Sequence, residues 1–452
     1  MVTIIFVIYA AFSCIRYAGF GSSGYDLGIF TQAVWHYSRF EAPISTIREL
    51  PNILGDHFHP IVIALAPLFW IWPSPYMLLL AQAALIAISI IPIWLFVRRR
   101  LDAAPSYLLV SSYALFWGVV NAVAFDFHEV AFAVPLIATA IWLIDIKRWT
   151  PFYWTIAGLL LVKEDQAILV VFFGLYLLLK KYWRPALVCV LSGIVWFLLT
   201  TKVLIPYFAG APFAHWSYTQ LGPDAMSALW TAITHPLTVV ALLTTPVAKL
   251  VTAWQLFSPF LLLSFLSPLV ILTIPLILER FLSTNSHYWL QVFHYSATIS
   301  PIIALSAADG LSRLAKHLQS RHKRLLVLTA TIVILLLNVW GLATTEFRYF
   351  AKPEFYNLAD NQRLGQQALD HVPADASVTA QDGLLPRLAN RRSIFVLRPN
   401  APLTDYVVAS DRVSTGLANI SEVQVLLNKY VEIGYEPVFE QDGWLVLRRP
   451  PQ

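Results

Sequence analysis

Ionisable residues gather in four short clusters that interrupt a mostly apolar chain. They are Asp26, the stretch Asp56-His57-Phe58-His59-Pro60, the stretch Asp126-Phe127-His128-Glu129 and the triplet Lys163-Glu164-Asp165, followed by a later pair, His294-Tyr295. A carboxylate can take a proton from a hydroxyl group, and lysine or histidine can hold an anion such as a phosphate. Because ionisable side chains at the edge of a membrane segment are costly to bury, we treat all of these residues as functional candidates.

Each cluster also has a purely structural interpretation. Residues 163–165 can be a self-neutralising ion network at a hairpin tip, and residues 126–129 can be an ordinary solvated loop. His57 and His59 can cap a helix that lies on the membrane surface. Residues 294–295 fit interfacial packing better than ligand binding. The functional interpretation of each cluster is therefore an expectation for the structure to test.

One spacing also permits a metal ion. Asp56, His57 and His59 lie within four residues, and carboxylate and imidazole ligands suit zinc or manganese. Cys14 and Cys189 both lie in apolar runs, so they build neither a disulfide framework nor a thiolate metal site. No cofactor is certain from the sequence, and a divalent cation stays open.

The composition places the chain in a lipid bilayer. Of its 452 residues, 58% are hydrophobic and only 13% are charged, whereas soluble domains carry about 25% charged residues. The net charge of +5 is modest, and the basic residues lie at loop ends. This pattern is typical of membrane topology signals and excludes a nucleic-acid-binding surface.

Apolar runs predict about eleven membrane-spanning helices. We place them at residues 3–18, 76–97, 104–121, 129–146, 151–163, 166–180, 185–206, 247–264, 267–282, 297–312 and 325–343. The proline-rich stretch 61–72 is expected to be a short amphipathic helix on the outer interface.

The basic residues predict the orientation. The basic loops at residues 98–100, 147–148, 180–184 and 313–324 all fall on one side, which should be cytoplasmic. The polar loops then lie outside, at residues 19–75, 122–128, 163–165, 207–246 and 283–296 and everything after about 344. We therefore expect a multi-pass protein of the cytoplasmic membrane whose ionisable clusters converge on the outer face.

After residue 345 the composition changes to that of a soluble domain. Strands are predicted at residues 376–380, 393–397 and 405–409, helices at 357–369 and 422–433, and a closing hairpin at 435–440 and 444–448. No GxGxxG or Walker pattern occurs, so no nucleotide site is expected. The predicted fold is mainly α: a polytopic transmembrane helical bundle over residues 1–345, with outer loop 19–75, and a small α/β extracytoplasmic domain over residues 346–452.

Several motifs resemble a large prokaryotic family of uncharacterised polytopic membrane proteins. The resemblance rests on Tyr25-Asp26-Leu27-Gly28-Ile29-Phe30, Gln32, Gly55-Asp56-His57-Phe58, Pro60, Pro67, Phe127-His128, Lys163-Glu164-Asp165, His294-Tyr295 and Arg387-Leu388-Ala389-Asn390-Arg391-Arg392. That family in turn resembles the GT-C superfamily of membrane glycosyltransferases, which share a first helix, a long outer loop with an essential acid, and further spans.

The resemblance implies roles for the clustered residues. Asp26 takes the place of the first-loop carboxylate that acts as base or metal contact, and Asp126 that of a second acidic residue. Independently of the resemblance, glycosyl transfer needs cations to hold the departing phosphate, and Lys163, His128 and Arg16 could supply them. The full set of substrate-binding candidates is Lys163, His128, Glu129, Glu164, Asp165, His57, His59 and Tyr295. Such enzymes take a sugar from a polyprenyl phosphate and need no nucleotide site.

The leading hypothesis is a membrane glycosyltransferase that moves a sugar from a polyprenyl-phosphate donor to an extracytoplasmic lipid, glycan or protein. Its expected partners are that donor and membrane lipid, without nucleic acid. A transporter or flippase of a lipid-linked or anionic solute is the alternative, although we find no internal repeat and the charges lie toward one face. A non-catalytic assembly protein is the third class.

Overall fold

The computed structural model describes residues 1–316, 318–414, 416 and 419–451. Within them the chain is mainly helical, with a small β-sheet confined to the C-terminal part. The largest apolar core lies inside the helical bundle and includes Phe12, Phe116 and Ile303. The predicted division into a helical part and a C-terminal α/β part matches this distribution of elements, while independent folding of the two parts stays a prediction.

The helices of the bundle are short and often joined end to end. In chain order they are α1 (Val2–Ala18), α2 (Ile29–Ser38), α3 (Ala66–Ile71), α4 (Pro75–Ile88), α5 (Ile90–Arg98), α6 (Ala103–Leu115), α7 (Trp117–Ala124), α8 (Ala133–Asp145), α9 (Trp149–Leu160), α10 (Gln166–Leu179), α11 (Trp183–Leu199), α12 (Ile205–Ala209), α13 (Ala225–Thr234), α14 (Pro236–Thr244), α15 (Val247–Phe257), α16 (Thr273–Leu282), α17 (Ile299–Ala315) and α18 (Ser320–Gly341). Short 3-10 segments precede α3 (Pro60–Leu65), α8 (Glu129–Phe132) and α16 (Pro268–Leu272).

Fewer helices than predicted meet the length of a membrane span. Within the described residues, three continuous helices are long and apolar enough, namely Pro75–Arg98, Trp183–Ala209 and Ser320–Thr344. Two bent pairs, α6 with α7 at 42° and α13 with α14 at 103°, raise this number to five. Predicted spans such as α1 and α10 are apolar but shorter. The protein is membrane-embedded, and the predicted count of about eleven spans is not confirmed.

Two predicted stretches differ from the structure. In the proposed span 247–264, the α-helix ends at Phe257. The chain cannot continue as a helix to residue 264, because Leu261 and Leu262 adopt left-handed backbone angles, with φ of 53° and 56°. The predicted polar loop 207–246 contains α13 and α14, whose apolar side chains are largely exposed. Pro236 starts α14 at its first position, where its missing N–H is not needed, so this proline marks a helix start and not a loop.

The basic loops meet at one end of the bundle, as their charge pattern indicated. Arg100, after α5, binds Asp145 at the end of α8 and Asp309 in α17, at 2.6 and 3.0 Å. Arg313 also binds Asp309, at 2.6 Å. The ion pairs described for this network include no residue of the ionisable clusters, while the assignment of the basic end to the cytoplasm stays a prediction.

The C-terminal part contains a five-stranded sheet. Its strands are β1 (Val378–Ala380), β2 (Ile394–Val396), β3 (Tyr406–Ser410), β4 (Glu436–Gln441) and β5 (Trp444–Arg448), in the order β2-β1-β3-β5-β4. The first three are parallel, and β4 and β5 form an antiparallel hairpin. Asp442 and Gly443 both have positive φ, which suits the right-handed twist of a two-residue hairpin turn. All five predicted strands are confirmed.

Helices cover both faces of the sheet. They are α19 (Ala359–Asp370), α20 (Leu385–Leu388) and α21 (Ile420–Glu432). The helix α21 packs on one face, and α19 packs on the other through Leu364 and Ala368. That second face also receives Phe20, Ile29 and Ile47 from the loop after α1, so the sheet domain is packed directly onto the predicted outer loop.

Candidate functional site

A tight turn directly after α1 presents Asp26. The turn spans Gly24–Gly28, and Asp26 has φ of 84° and ψ of −80°, a region that non-glycine residues rarely adopt. Such backbone geometry costs about 1–3 kcal/mol and concentrates at functional sites. The carboxylate is partly exposed, and within the described chain it accepts no hydrogen bond. It is therefore free to accept a proton from another molecule.

Asp126 has no such freedom. One of its oxygens pairs with the guanidinium of Arg16, and the other accepts the backbone N–H of Ser23 at 2.7 Å. The same Arg16 side chain donates to the carbonyl of Gly21. Asp126 thus ties the end of α1 and the following loop to the end of α7. The catalytic role implied for Asp126 stays untested, and this geometry favours a positioning role.

The imidazole of His128 lies beside Asp26. Its Nε2 lies 3.8 Å from Oδ1 of Asp26, and its ring stacks on His294 with ring centres 3.6 Å apart. The backbone N–H of His128 donates to Gln82 in α4 at 3.0 Å, which fixes the loop against the bundle. Two stacked imidazole rings, those of His128 and His294, therefore lie next to the Asp26 carboxylate.

Glu129 joins His128 to Lys163. One Glu129 oxygen lies 2.7 Å from Nδ1 of His128, and the other lies 3.2 Å from the ammonium of Lys163. The contact with His128 is close but off the direction of a good hydrogen bond. Asp26, His128, Glu129 and Lys163 thus form a chain of alternating charge at the mouth of the bundle, as their convergence was predicted. We call these four residues the charge chain.

The surroundings raise the pKa of Asp26 to about 6. Burial is the largest cause, and the nearby carboxylates of Asp126 and Glu129 add to it. The charges of His128 and Lys163 act in the opposite direction but do not outweigh burial. A carboxylate with this pKa is ionised at neutral pH and still basic enough to take a proton, which is what a general base requires.

The predicted residues Glu164 and His57 form a separate arrangement. Nδ1 of His57 lies 2.6 Å from one Glu164 oxygen, and the backbone N–H of Phe58 donates to the other at 2.9 Å. The ring of His57 stacks on His215 at 4.1 Å, and His215 binds Asp56 at 2.8 Å. We call His57, Glu164, His215, Asp56 and Arg48 the tied cluster, since each of its carboxylates is occupied.

The structure does not support a metal site at residues 56–59. Asp56 binds Arg48 and His215, His57 binds Glu164, and the buried His59 packs on the ring of Phe30. Across the ranges that the structure describes, no group of three or more His, Cys, Asp or Glu side chains is arranged to hold a metal. The three donors face different partners, so the stretch does not fit a metal, and a cation elsewhere stays an untested prediction.

Two of the predicted residues lie at the edges of the site. Asp165 accepts a hydrogen bond from the side chain of Gln166 at 2.8 Å. The ring of Tyr295 lies 4.3 Å from that of His294 and 4.8 Å from that of Tyr288, so it continues the aromatic layer behind His128. The expected interfacial packing of residues 294–295 is thus part of the wall of the site.

Sequence reasoning missed Arg280. This arginine is buried at the end of α16, and its Nε donates to the carbonyl of Tyr288 at 2.7 Å. Both terminal nitrogens of its guanidinium lack a hydrogen-bond partner within the described residues. An unpaired buried guanidinium is costly. The sequence did contain a sign of this residue, since the adjacent ionisable pair Glu279-Arg280 lies inside an apolar run. We included that pair in a predicted span instead of treating it as a functional candidate.

A cavity of about 510 Å³ opens on the other side of Arg16. Its wall combines apolar side chains of α1, including Phe12 and Ile15, with Phe355 and Leu358 from the segment that leads to the sheet domain. The lining also includes Arg16, Glu346 and Glu354, so the cavity has a charged side as well as an apolar one.

Comparison with solved structures shows a shared fold. The chain is similar to ArnT from Cupriavidus metallidurans, a GT-C glycosyltransferase, in two crystal structures. The structure bound to undecaprenyl phosphate gives a TM-score of 0.59 at 12% identity, covering 100% of this chain and 99% of that chain. The apo structure gives a TM-score of 0.54 at 11% identity, covering 99% of each. These identities show the fold alone, which is ArnT-like.

Comparison with protein families identifies the relatives. No curated protein matches the chain. Residues 16–446 match the family described as predicted membrane protein (DUF2079), which confirms the resemblance drawn from the motifs. Because this match extends over nearly the whole sequence, the chain belongs to the DUF2079 family of membrane proteins.

Proposed function

We propose that the protein is a membrane glycosyltransferase that moves a sugar from a polyprenyl-phosphate donor to an acceptor outside the cytoplasm. The observation that carries the proposal is the free Asp26 carboxylate, which lies beside His128 and the rest of the charge chain at the mouth of an apolar bundle. The likeness to ArnT, which binds undecaprenyl phosphate in one structure, supports this class of donor.

The charge chain supplies both halves of the reaction. Asp26 accepts the proton of an acceptor hydroxyl, whose oxygen then bonds to the anomeric carbon of the donor sugar. The bond between that carbon and the phosphate oxygen breaks, and its electron pair leaves with the phosphate. Lys163 and His128 neutralise the departing phosphate, while Glu129 orients both cations. A general base and such charge stabilisation each accelerate a reaction by about 10²-fold or more.

Arg280 is a further cation that we assign to the donor phosphate, in addition to Lys163 and His128. Its Nε is held by the carbonyl of Tyr288, which leaves the two terminal nitrogens for a ligand. A guanidinium binds phosphate oxygens through two parallel hydrogen bonds, a geometry that lysine cannot offer. Tyr295, whose ring contacts both Tyr288 and His294, would lie against the sugar.

The remaining predicted residues have supporting roles in this proposal. Glu164 and His57 hold the loop at residues 56–60 against the hairpin tip, and Asp165 closes that tip. The ring of His59 packs against the ring of Phe30. The apolar side of the cavity beside Arg16, formed by Phe12, Ile15 and Leu358, would take part of a lipid chain.

The test is turnover by the purified full-length protein in detergent. Undecaprenyl phosphate alone is first bound and detected by native mass spectrometry, and labelled undecaprenyl-phosphate sugars are then incubated with candidate acceptors, with and without EDTA. Release of undecaprenyl phosphate together with a labelled product supports the proposal. Binding without any sugar release, combined with lipid movement across reconstituted vesicles, would support the flippase alternative instead.

The orientation has its own test. A reporter fused after Arg324 should lie in the cytoplasm, and one fused after Gln452 should lie outside, because the basic loops then all face inward. Two reporters on the same side would contradict the proposed location of the site.

A further inference from the structure

The turn that carries Asp26 is held from two directions. On the side of the bundle, Asp126 accepts the backbone N–H of Ser23 at 2.7 Å. On the side of the sheet domain, Asp382 accepts the next backbone N–H, that of Gly24, at 3.2 Å. Consecutive N–H groups of one strained turn are therefore bound by buried carboxylates from two different parts of the chain.

The sheet domain also fits the turn by shape. Leu385 is fully buried and lies so close to Gly24 that a Cβ atom there would be 2.2 Å from its Cδ1. A Cβ atom on Gly28 would likewise be 3.5 Å from Cβ of Leu385. The turn thus needs glycine at residue 24 because α20 packs directly on its backbone.

A third contact holds the start of the same connection. Arg387 donates to the carbonyls of Tyr17 and Ala18, at the end of α1, at 2.8 and 2.9 Å. Its guanidinium also lies 3.9 Å above the ring of Phe20. Residues 382–387 therefore contact the chain from the end of α1 to the turn at Asp26.

We propose that the C-terminal domain is part of the active site, with Asp382 as the positioning residue that holds the strained Asp26 turn. Asp382 touches no reacting atom. Its carboxylate fixes the Gly24 amide, and Leu385 blocks the backbone from relaxing, so the Asp26 carboxylate stays beside His128. The kinetic consequence rests on the proposed function, whereas the effect on the turn does not.

The experiment compares hydrogen exchange in the full-length protein with matched carboxylate variants. Asp382→Asn removes the acceptor charge at the turn. Asp405→Asn is the control, because Asp405 also accepts a backbone N–H and a hydroxyl, both from Ser377, but at the start of the central strand β3 and without a contact to the turn. In Asp382→Asn the amides of residues 24–29 should exchange at least about tenfold faster. The Asp405→Asn protein should match the unmodified one.

A second pair of variants keeps the proposal testable if Asp382→Asn does not fold. Gly24→Ala places a methyl group against Leu385 and should speed exchange at residues 24–29. Adding Leu385→Ala makes room for that methyl group and should slow exchange again. Unchanged exchange in folded Asp382→Asn, or no recovery in the double variant, would overturn the proposal.

Kinetics separate this inference from the proposed function. If the protein transfers sugar, Asp382→Asn should lower kcat by about tenfold and leave KM for the donor near normal, because Lys163 and Arg280 are untouched. Equal kcat in Asp382→Asn and the unmodified protein would overturn the positioning role. If no sugar transfer occurs in the unmodified protein, the proposed function fails, and the exchange result still decides whether Asp382 holds the turn.

Discussion

The charge chain and the tied cluster both combine carboxylates and histidine with a basic residue, but they differ in how their carboxylates are used. In the charge chain, the partly exposed carboxylate of Asp26 accepts no hydrogen bond within the described residues, and its pKa is raised to about 6. In the tied cluster, Glu164 is bound by His57 and by a backbone N–H, and Asp56 by Arg48 and His215.

The pKa values follow from these partners. Burial acts to raise the pKa of Asp56, but hydrogen bonds from His215 and Arg48 outweigh burial and lower it. The pKa of Glu164 is lowered in the same way by His57. A carboxylate without donors can exchange a proton with substrate, and one with donors holds structure. In the proposed function, the difference between a catalytic and a supporting carboxylate therefore lies in the hydrogen-bond partners and not in the residue type.

The largest expected effect comes from removing the free carboxylate. Asp26→Asn keeps the size of the side chain but cannot accept a proton, so sugar transfer should fall by about 10²-fold or more while the melting temperature stays unchanged. The matched control is Asp102→Asn, at the exposed start of α6 with no side-chain hydrogen bond, which should retain full activity. A stable Asp26→Asn protein with normal turnover would remove Asp26 from the mechanism.

The cationic end of the charge chain should act on donor binding. Lys163→Gln removes the ammonium that lies 3.2 Å from Glu129 and faces the proposed phosphate site. We expect KM for the polyprenyl-phosphate donor to rise by about tenfold, the size of one charge-assisted hydrogen bond. Lys163→Arg retains the charge and serves as the control. A donor KM that is equal in both variants would show that Lys163 does not contact the phosphate.

The pH dependence separates the two groups of carboxylates. Asp26 must be ionised to accept a proton, so kcat/KM should be constant above pH 7 and fall about tenfold per unit below its pKa of about 6. The carboxylates of the tied cluster have lowered pKa values and stay ionised over this range. The acidic limb should therefore disappear from the residual activity of Asp26→Asn and persist in Glu164→Gln.

The smallest effect on turnover is expected in the tied cluster. Glu164→Gln weakens the contact with His57 and the acceptor for the Phe58 N–H, so the free energy of unfolding should fall by about 1–3 kcal/mol. Folded protein should keep sugar transfer within a few-fold of normal. Thermal unfolding in detergent, followed beside turnover, measures both quantities. A large loss of kcat without loss of stability would show that Glu164 takes part in the reaction, and it would contradict the distinction between the tied cluster and the charge chain.

Local patterns in the sequence predicted much of the fold. All five strands of the C-terminal sheet and both of its long helices occur where apolar alternation and turn residues indicated, because strand period and hairpin chemistry are local properties. The span count was less accurate. Hydropathy alone cannot see that Leu261 and Leu262 break a helix, or that exposed apolar residues after residue 224 form the helices α13 and α14.

The sequence by itself determined which residues are candidates, since ionisable groups stand out in an apolar chain wherever they occur. It placed Asp26, His128, Glu129 and Lys163 in separate loops that a common orientation brings together. Only the tertiary structure decided which carboxylate is free. The partners of Asp126, and the Asp382 carboxylate that binds Gly24 from 358 residues away, depend on contacts between distant segments that no local pattern encodes.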